Sequence, residues 1–270
     1  MIIDIEKFER HLRESNLSGN TVSSYIVAVK QYTAEYDKLT QLNLRAYKTG
    51  LIEKFKPATV NLRLRGINSY LESIGKDKWK LEFVKVQQKP FLENVISEAD
   101  YEYFKKSLKS DGEIFWYFVI RFIAATGARV SELIQIKVEH VQLGYLDLYS
   151  KGGKLRRIYI PKSLQNEAIS WLNEKQQESG FIFLNKKGEH ITTRGISGQL
   201  KVFAERYGIS KAVVYPHSFR HLFAKRFLSK CNDIAFLADL MGHESIETTR
   251  IYLRKTATEQ REIVDSIVDW

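Results

Sequence analysis

The chain has 270 residues, 44% of them hydrophobic, and carries 42 Lys and Arg against 32 Asp and Glu, a net charge of +10. That length is natural for two domains rather than one small α-rich domain, and the positive surplus favours a polyanionic partner, because each neutralised phosphate releases condensed counterions. A single cysteine, Cys231, excludes an intrachain disulfide and a zinc site built on thiolates.

The start, Met-Ile-Ile-Asp-Ile-Glu, lacks the basic segment and apolar core of a secretory signal. Helical spacing of Ile5, Phe8 and Leu12 predicts a first helix, and Val22, Tyr25, Ile26, Val29 and Tyr32 predict a second after Ser18-Gly19-Asn20. A further helix is expected from Pro57 to Gly75, burying Val60, Leu64, Ile67 and Leu71 and leaving Arg63 and Arg65 on another face. Residues 1–90 hold 16 basic and 10 acidic side chains, so a third of the chain carries +6 of the total. Basic side chains around four or five small helices suit a DNA-clamping module and equally suit a solvated helical surface.

Residues 81–95 lack helical periodicity and contain Pro90, which marks an interdomain linker over 83–96 between domains at 1–82 and 97–270. Ser97-Glu98-Ala99-Asp100 opens a new helix with a capping-box pattern. The apolar run from Glu113 to Thr126, closed by Gly127, predicts a central helix; its core, Ile114 to Ala125, is interrupted by Arg121 and too short to span a bilayer. Tyr145 to Tyr149 and Arg157 to Ile160 alternate like strands around a Lys151-Gly152-Gly153-Lys154 turn. Helical patterns resume from Ser163 to the C-terminus. The expectation is a mainly α protein with a small β-sheet, located in a reducing, cytoplasmic compartment with no membrane partner.

Four separated pieces carry chemistry: Gly127-Ala128-Arg129-Val130-Ser131-Glu132-Leu133, Ser150-Lys151-Gly152-Gly153-Lys154, His217-Ser218-Phe219-Arg220-His221, and Leu240-Met241-Gly242-His243 followed by Tyr252. Singly, each has an ordinary explanation: a helix start, a hairpin-tip lysine, two of six histidines, one of 14 tyrosines. Jointly they supply what attack on a phosphodiester needs. Arginine forks stabilise non-bridging oxygens, a phenol leaves a stable ester, and a lysine on a hairpin reaches a departing oxygen as its acid.

The order of these pieces resembles the tyrosine recombinase (phage integrase) family, including its Xer and transposon-integrase branches, over essentially the whole chain. The resemblance implies a helical N-terminal core-binding (SAM-like) domain and a catalytic domain, with neither metal nor organic cofactor. It implies that Tyr252 attacks the scissile phosphate to form a 3′-phosphotyrosyl link, while Arg129 and Arg220 clamp the phosphate. His243 would donate to a non-bridging oxygen, His217 would exchange a proton with the tyrosine, and Lys151 would protonate the 5′ oxygen, with Lys154 its local competitor and a candidate DNA contact beside Arg63 and Arg65. Glu132 would support the arginine or the histidine, and His221 would face the helix interior.

Relatives act on double-stranded DNA as homo-tetramers holding two sites; a monomer off DNA is compatible with this. Ile263, Ile267 and Trp270 form an apolar stripe suited to docking on a neighbouring protomer or on its own domain. Leu253-Arg254 departs from the threonine and histidine that follow the tyrosine in many relatives, and no additional N-terminal arm-binding domain of the lambda-integrase kind is expected. Two alternatives remain open on sequence: a type IB topoisomerase relaxing one duplex, and a DNA-binding relative without catalysis.

Overall fold

In the computed structural model, residues 3–86, 94–149, 155–243, 245–253 and 257–268 are described. The chain divides into two compact units, Met1–Gln88 and Lys89–Trp270. Side-chain caps begin the helices of the first unit. Asp4, Ser18 and Thr40 accept from the backbone N–H of Lys7, Thr21 and Asn43, taking one of the donors each helix start leaves unpaired. They open α1 (Ile5–Glu14), α2 (Gly19–Glu35) and α3 (Gln41–Lys54). In α4 (Pro57–Ser73) proline takes the first position, where a missing N–H costs nothing. This helix ends two residues before Gly75, slightly short of the expected limit.

Phe8, Leu12, Tyr32, Tyr47, Leu64 and Tyr70 make this unit's core. The segment expected to start the linker is held along α4. Asn68 accepts from Leu81 N and donates to Leu81 O, and Asn61 does the same for Val84. Val84, inside the predicted linker, therefore packs on the first unit's core; residues 87–93 lie outside the described residues.

The second unit is built on α6 (Ile114–Thr126), whose Val119, Ile120, Phe122 and Ile123 are fully buried. Around it stand α5 (Glu98–Ser110), opened by Ser97 as expected, α7 (Val130–Leu133), α8 (Val138–Leu143) and α9 (Lys162–Glu174). Then come α10 (Thr193–Arg206), α11 (Pro216–Lys230), α12 (Ile234–Met241), α13 (Ile246–Arg250) and α14 (Ala257–Ile267). Between α8 and α9 lies a two-stranded antiparallel ladder of β1 (Tyr145–Tyr149) and β2 (Leu155–Tyr159), pairing Leu146 with Ile158 and Leu148 with Arg156. Among the described residues the architecture is thus mainly α with one small sheet. Strand β2 begins two residues earlier than its alternation predicts, because Arg156, a polar residue at an inward position, breaks the apolar pattern.

Gly66 sits where α4 crosses α2: an added Cβ would lie 2.8 Å from Ala28 Cβ and 3.0 Å from Tyr25 Cα. Gly50, on α3, has nothing within 4 Å of such a Cβ. Helix propensity favours alanine at both by about 1 kcal/mol, but overpacking at Gly66 costs about 1–3 kcal/mol. Gly50→Ala should therefore raise, and Gly66→Ala lower, the denaturation midpoint of the first unit in urea. Equal shifts of one sign would show that the helix crossing does not constrain position 66.

Candidate active site

Helix α12 ends at Gly242, which takes a left-handed conformation with φ 60° and where a Cβ would fall inside the Arg156 side chain. The last carbonyls of a helix lack intrahelical partners and carry its negative end. Here three consecutive carbonyls each receive a guanidinium from a different part of the chain. Leu240 O accepts from Arg156 Nε at 3.1 Å and Nη2 at 2.8 Å, from β2. Met241 O accepts from Arg220 Nη2 at 2.6 Å, from the second turn of α11. Gly242 O accepts from Arg129 Nη2 at 2.9 Å, from the residue that opens α7. Arg220, only 2% exposed, also donates through Nη1 to Gly127 O.

Glu132 binds these cations from the other side. Its Oε2 accepts the Arg129 backbone N–H at 2.6 Å, and its Oε1 accepts Arg129 Nη1 at 2.8 Å together with Arg156 Nη1. Arg220 Nη1 stands 4.0 Å from Oε2. One carboxylate among three guanidiniums leaves a surplus of positive charge. A cleft of about 420 Å³ opens beside it, lined by Arg129, Glu132, Gln135, Arg156, Asp239 and His243 among others.

His243 and Tyr252 complete the cluster. His243 Nε2 lies 3.1 Å from Arg220 Nη2 and its Nδ1 2.8 Å from Thr249 Oγ1. A guanidinium can only donate, so Nε2 accepts and the proton sits on Nδ1, toward the threonine hydroxyl. Tyr252, in the 3₁₀ turn Ile251–Leu253, is 7% exposed and lies parallel to the His243 ring at 6.0 Å between centroids. His217 stands on the first turn of α11, open to solvent on one side and shielded by the surrounding protein on the other, near enough for the Arg220 and Arg129 charges to act on it.

Five of the residues singled out in the sequence, Arg129, His217, Arg220, His243 and Tyr252, thus belong to one neighbourhood, with Glu132 beneath them. Lys151 and Lys154 lie outside the described residues. In the first unit, Arg65 is exposed with its guanidinium 5.8 Å from the Phe83 ring, while Arg63 is half-buried with Nε shielded from solvent. Two features went unread in the sequence. His221 does not simply face its helix interior: its ring packs 5.1 Å from that of Tyr252. Arg156 carries no motif of its own; extending the strand alternation of Arg157 to Ile160 back by one residue is the one signal that would turn it inward.

Burial and positive charge set the protonation states. Burial pushes the Tyr252 phenol up, while Arg220, by charge and a hydrogen bond, and Arg129, by charge, pull it back. Burial would also raise the Glu132 carboxyl, but Arg156 and the hydrogen bonds from Arg129 hold it below the usual range. Burial and the neighbouring arginines lower His217 and bring His243 to about 4; burial, His217 and Arg220 bring His221 to about 4. Both histidines are therefore neutral in the fold at pH 5, where their unfolded counterparts, near 6.5, bind protons. Their contribution to stability is complete above pH 6.5 and is lost as the pH falls from there to about 4. NMR titration should place the His243 and His221 midpoints near 4; midpoints near 6.5 would show that neither burial nor the arginines governs them.

Residues 94–259 match the model of the phage integrase family. The tyrosine recombinase XerA of Pyrococcus furiosus is 27% identical over 97% of this chain and 92% of its own length. Among solved structures, the Tn1549 transposon integrase in complex with transposon right-end DNA aligns over 99% of both chains, with a TM-score of 0.73 and 16% identity. The XerH site-specific recombinase bound to difH aligns over 99% of this chain and 85% of that one, with a TM-score of 0.71 and 19% identity. With more than half its residues matched and the fold shared from end to end, the chain belongs to the phage integrase family, the tyrosine recombinases.

Proposed function

We propose that this recombinase cleaves and rejoins double-stranded DNA at specific sites through a 3′-phosphotyrosyl intermediate formed on Tyr252. The observation that carries the reading is the convergence of Tyr252, Arg220, His243 and Arg129, from separate segments, around the end of α12, where Arg129 and His243 line the cleft. The Tyr252 oxygen attacks the scissile phosphorus, its P–O bond forms and the bond to the 5′ oxygen breaks. The phenol proton passes to His217, whose lowered pKa keeps it a base at neutral pH. Lys151 protonates the departing 5′ oxygen. Arg129 and Arg220 stabilise the charge that develops on the non-bridging oxygens.

His243 has a condition attached. While Nε2 accepts from Arg220 it carries no proton to donate. An incoming phosphate oxygen competes for Arg220 Nη2, and the imidazole then donates through Nε2 once its proton has moved from Nδ1. Thr249 Oγ1, a donor as well as an acceptor, can bond to Nδ1 in either tautomer.

The unit Met1–Gln88 serves as the helical DNA-binding module, and Lys89–Trp270 as the catalytic one. Four protomers act on two sites, with α14, whose Val264 and Ile267 are exposed, docking on a neighbour; Trp270 lies outside the described residues. Because the ester conserves the energy of the broken bond, a free 5′ hydroxyl from another strand reverses the step.

A suicide duplex nicked near the crossover, incubated in EDTA and resolved on a denaturing gel, should give a covalent protein–DNA band with the wild type and none with Tyr252→Phe. Joined product from two sites, and not mere relaxation of one supercoiled circle, separates recombination from a topoisomerase. Binding without a band in the wild type would leave a non-catalytic relative. If Arg65 contacts phosphate, Arg65→Ala should reduce the slope of log affinity against log salt by about one contact; an unchanged slope removes Arg65 from the interface.

A further inference from the structure

Arg156 has no part in the reaction proposed above, yet it is the arginine most fully committed to the site's framework. It lies on the inward face of β2, opposite Leu148, and is 8% exposed. Its Nε and Nη2 grip a single carbonyl, Leu240 O, as a fork, and its Nη1 donates to Glu132 Oε1. That same oxygen receives Arg129 Nη1. The side chain thus ties together β2, the end of α12 and α7, three elements with no other common contact among the interactions described above. Gly242, where a Cβ would collide with Arg156, adds that the backbone leading into His243 is shaped around it.

The contrast with Arg129 is informative. Both line the cleft and both bind a carbonyl and the Glu132 carboxylate, but the Arg129 side chain is 36% exposed with one arm on each, whereas that of Arg156 is 8% exposed and puts both Nε and Nη2 on its carbonyl. Both compete for one negative charge. Without Arg156, Glu132 would keep Arg129 at 2.8 Å as its one direct ion pair, Arg220 standing off at 4.0 Å; shared with Arg156, the carboxylate leaves this pair of arginines with a net positive charge for a ligand. We propose that Arg156 is a positioning residue for strand cleavage, which occupies Glu132 and fixes the end of α12 so that Arg129 remains aligned and charged toward the scissile phosphate. This rests on the phosphotyrosyl reaction proposed above.

The test uses the full chain and the nicked suicide duplex at saturating DNA, with single-turnover formation of the covalent complex as the rate. DNA affinity is measured separately in a Tyr252→Phe background. Arg156→Met should slow the step about 100-fold, the scale of loss expected when a catalytic group is misplaced by about 1 Å, with the dissociation constant within about threefold of its parent. Arg156→Lys, which keeps the charge but not the fork, should recover about tenfold of that loss and guards against a variant that fails to fold.

A second substrate separates positioning from general support of the fold. A methylphosphonate at the scissile position lacks one non-bridging charge and so makes less demand on Arg129. The ratio of wild-type to Arg156→Met rates should shrink markedly on it. An equal ratio on both substrates, a wild-type rate in Arg156→Met, or a loss that lies in DNA affinity would each overturn the role. If the wild type itself gives no covalent complex, the proposed reaction falls and this role falls with it, an outcome distinct from the other three.

Discussion

The end of helix α12 is the constraint on which the rest of the site depends. Three carbonyls in succession, Leu240, Met241 and Gly242, hold guanidiniums from β2, α11 and the start of α7. Guanidiniums packed this closely repel one another, and burying them removes hydration; burial together with Arg129 and Arg156 brings even Arg220 down to about 10. What offsets this is a set of charge-assisted hydrogen bonds, each stabilising by about 1.5–3 kcal/mol, and the Glu132 carboxylate at the centre. The arrangement is cooperative in the literal sense. Remove Glu132 and the buried Arg156 and Arg220 are left without a counter-charge, which costs far more than a single bond.

This constraint explains why the motif residues are so far apart in sequence and yet sit in fixed relation. Arg129 is placed by the turn after α6 and by the Glu132 carboxylate that accepts its own backbone N–H. Arg220 is placed by Gly127 O and Met241 O together, so it bridges the same turn to α12. His243 is the residue directly after the three carbonyls, and its ring is held between Arg220 and Thr249. Tyr252 then packs against the rings of both His243 and His221. Each position follows from the one before it.

Most of the fold is legible in the sequence, because its signals are local. Ser18, Pro57 and Ser97 mark helix starts by chemistry that acts within a few residues, and the face of α4 is written in the spacing of Val60, Leu64, Ile67 and Leu71. What escaped is non-local. Arg156 has the composition of a surface residue, and only its partners, 24 and 84 positions away, make it a buried one. His221 lies one residue past Arg220, and nothing in the sequence says that Tyr252 folds back onto it. The segment at Val84 lacks helical periodicity, as a linker would, but Asn61 binds it from 23 residues away. Alternation placed the start of β2 late for the same reason: a charge that is satisfied across the fold looks like a break in the pattern.

One electrostatic feature governs both halves of the proposed reaction. The surplus positive charge around Glu132 is what a phosphate in flight between two oxygens requires. The same charge, added to burial, keeps His217 and His243 from protonating, and a neutral imidazole is the form able to take the proton from Tyr252. Burial of Tyr252 works against its ionisation while Arg220 and Arg129 favour it, and burial prevails, so the phenol stays protonated at neutral pH. A bound phosphate would draw the arginines' charge to itself and raise the phenol further. Attack by a free phenolate is therefore the less favourable course, and removal of the proton as the P–O bond forms is the more favourable one. For the proposed reaction, a neutral base beside the arginines is then a requirement rather than an accessory.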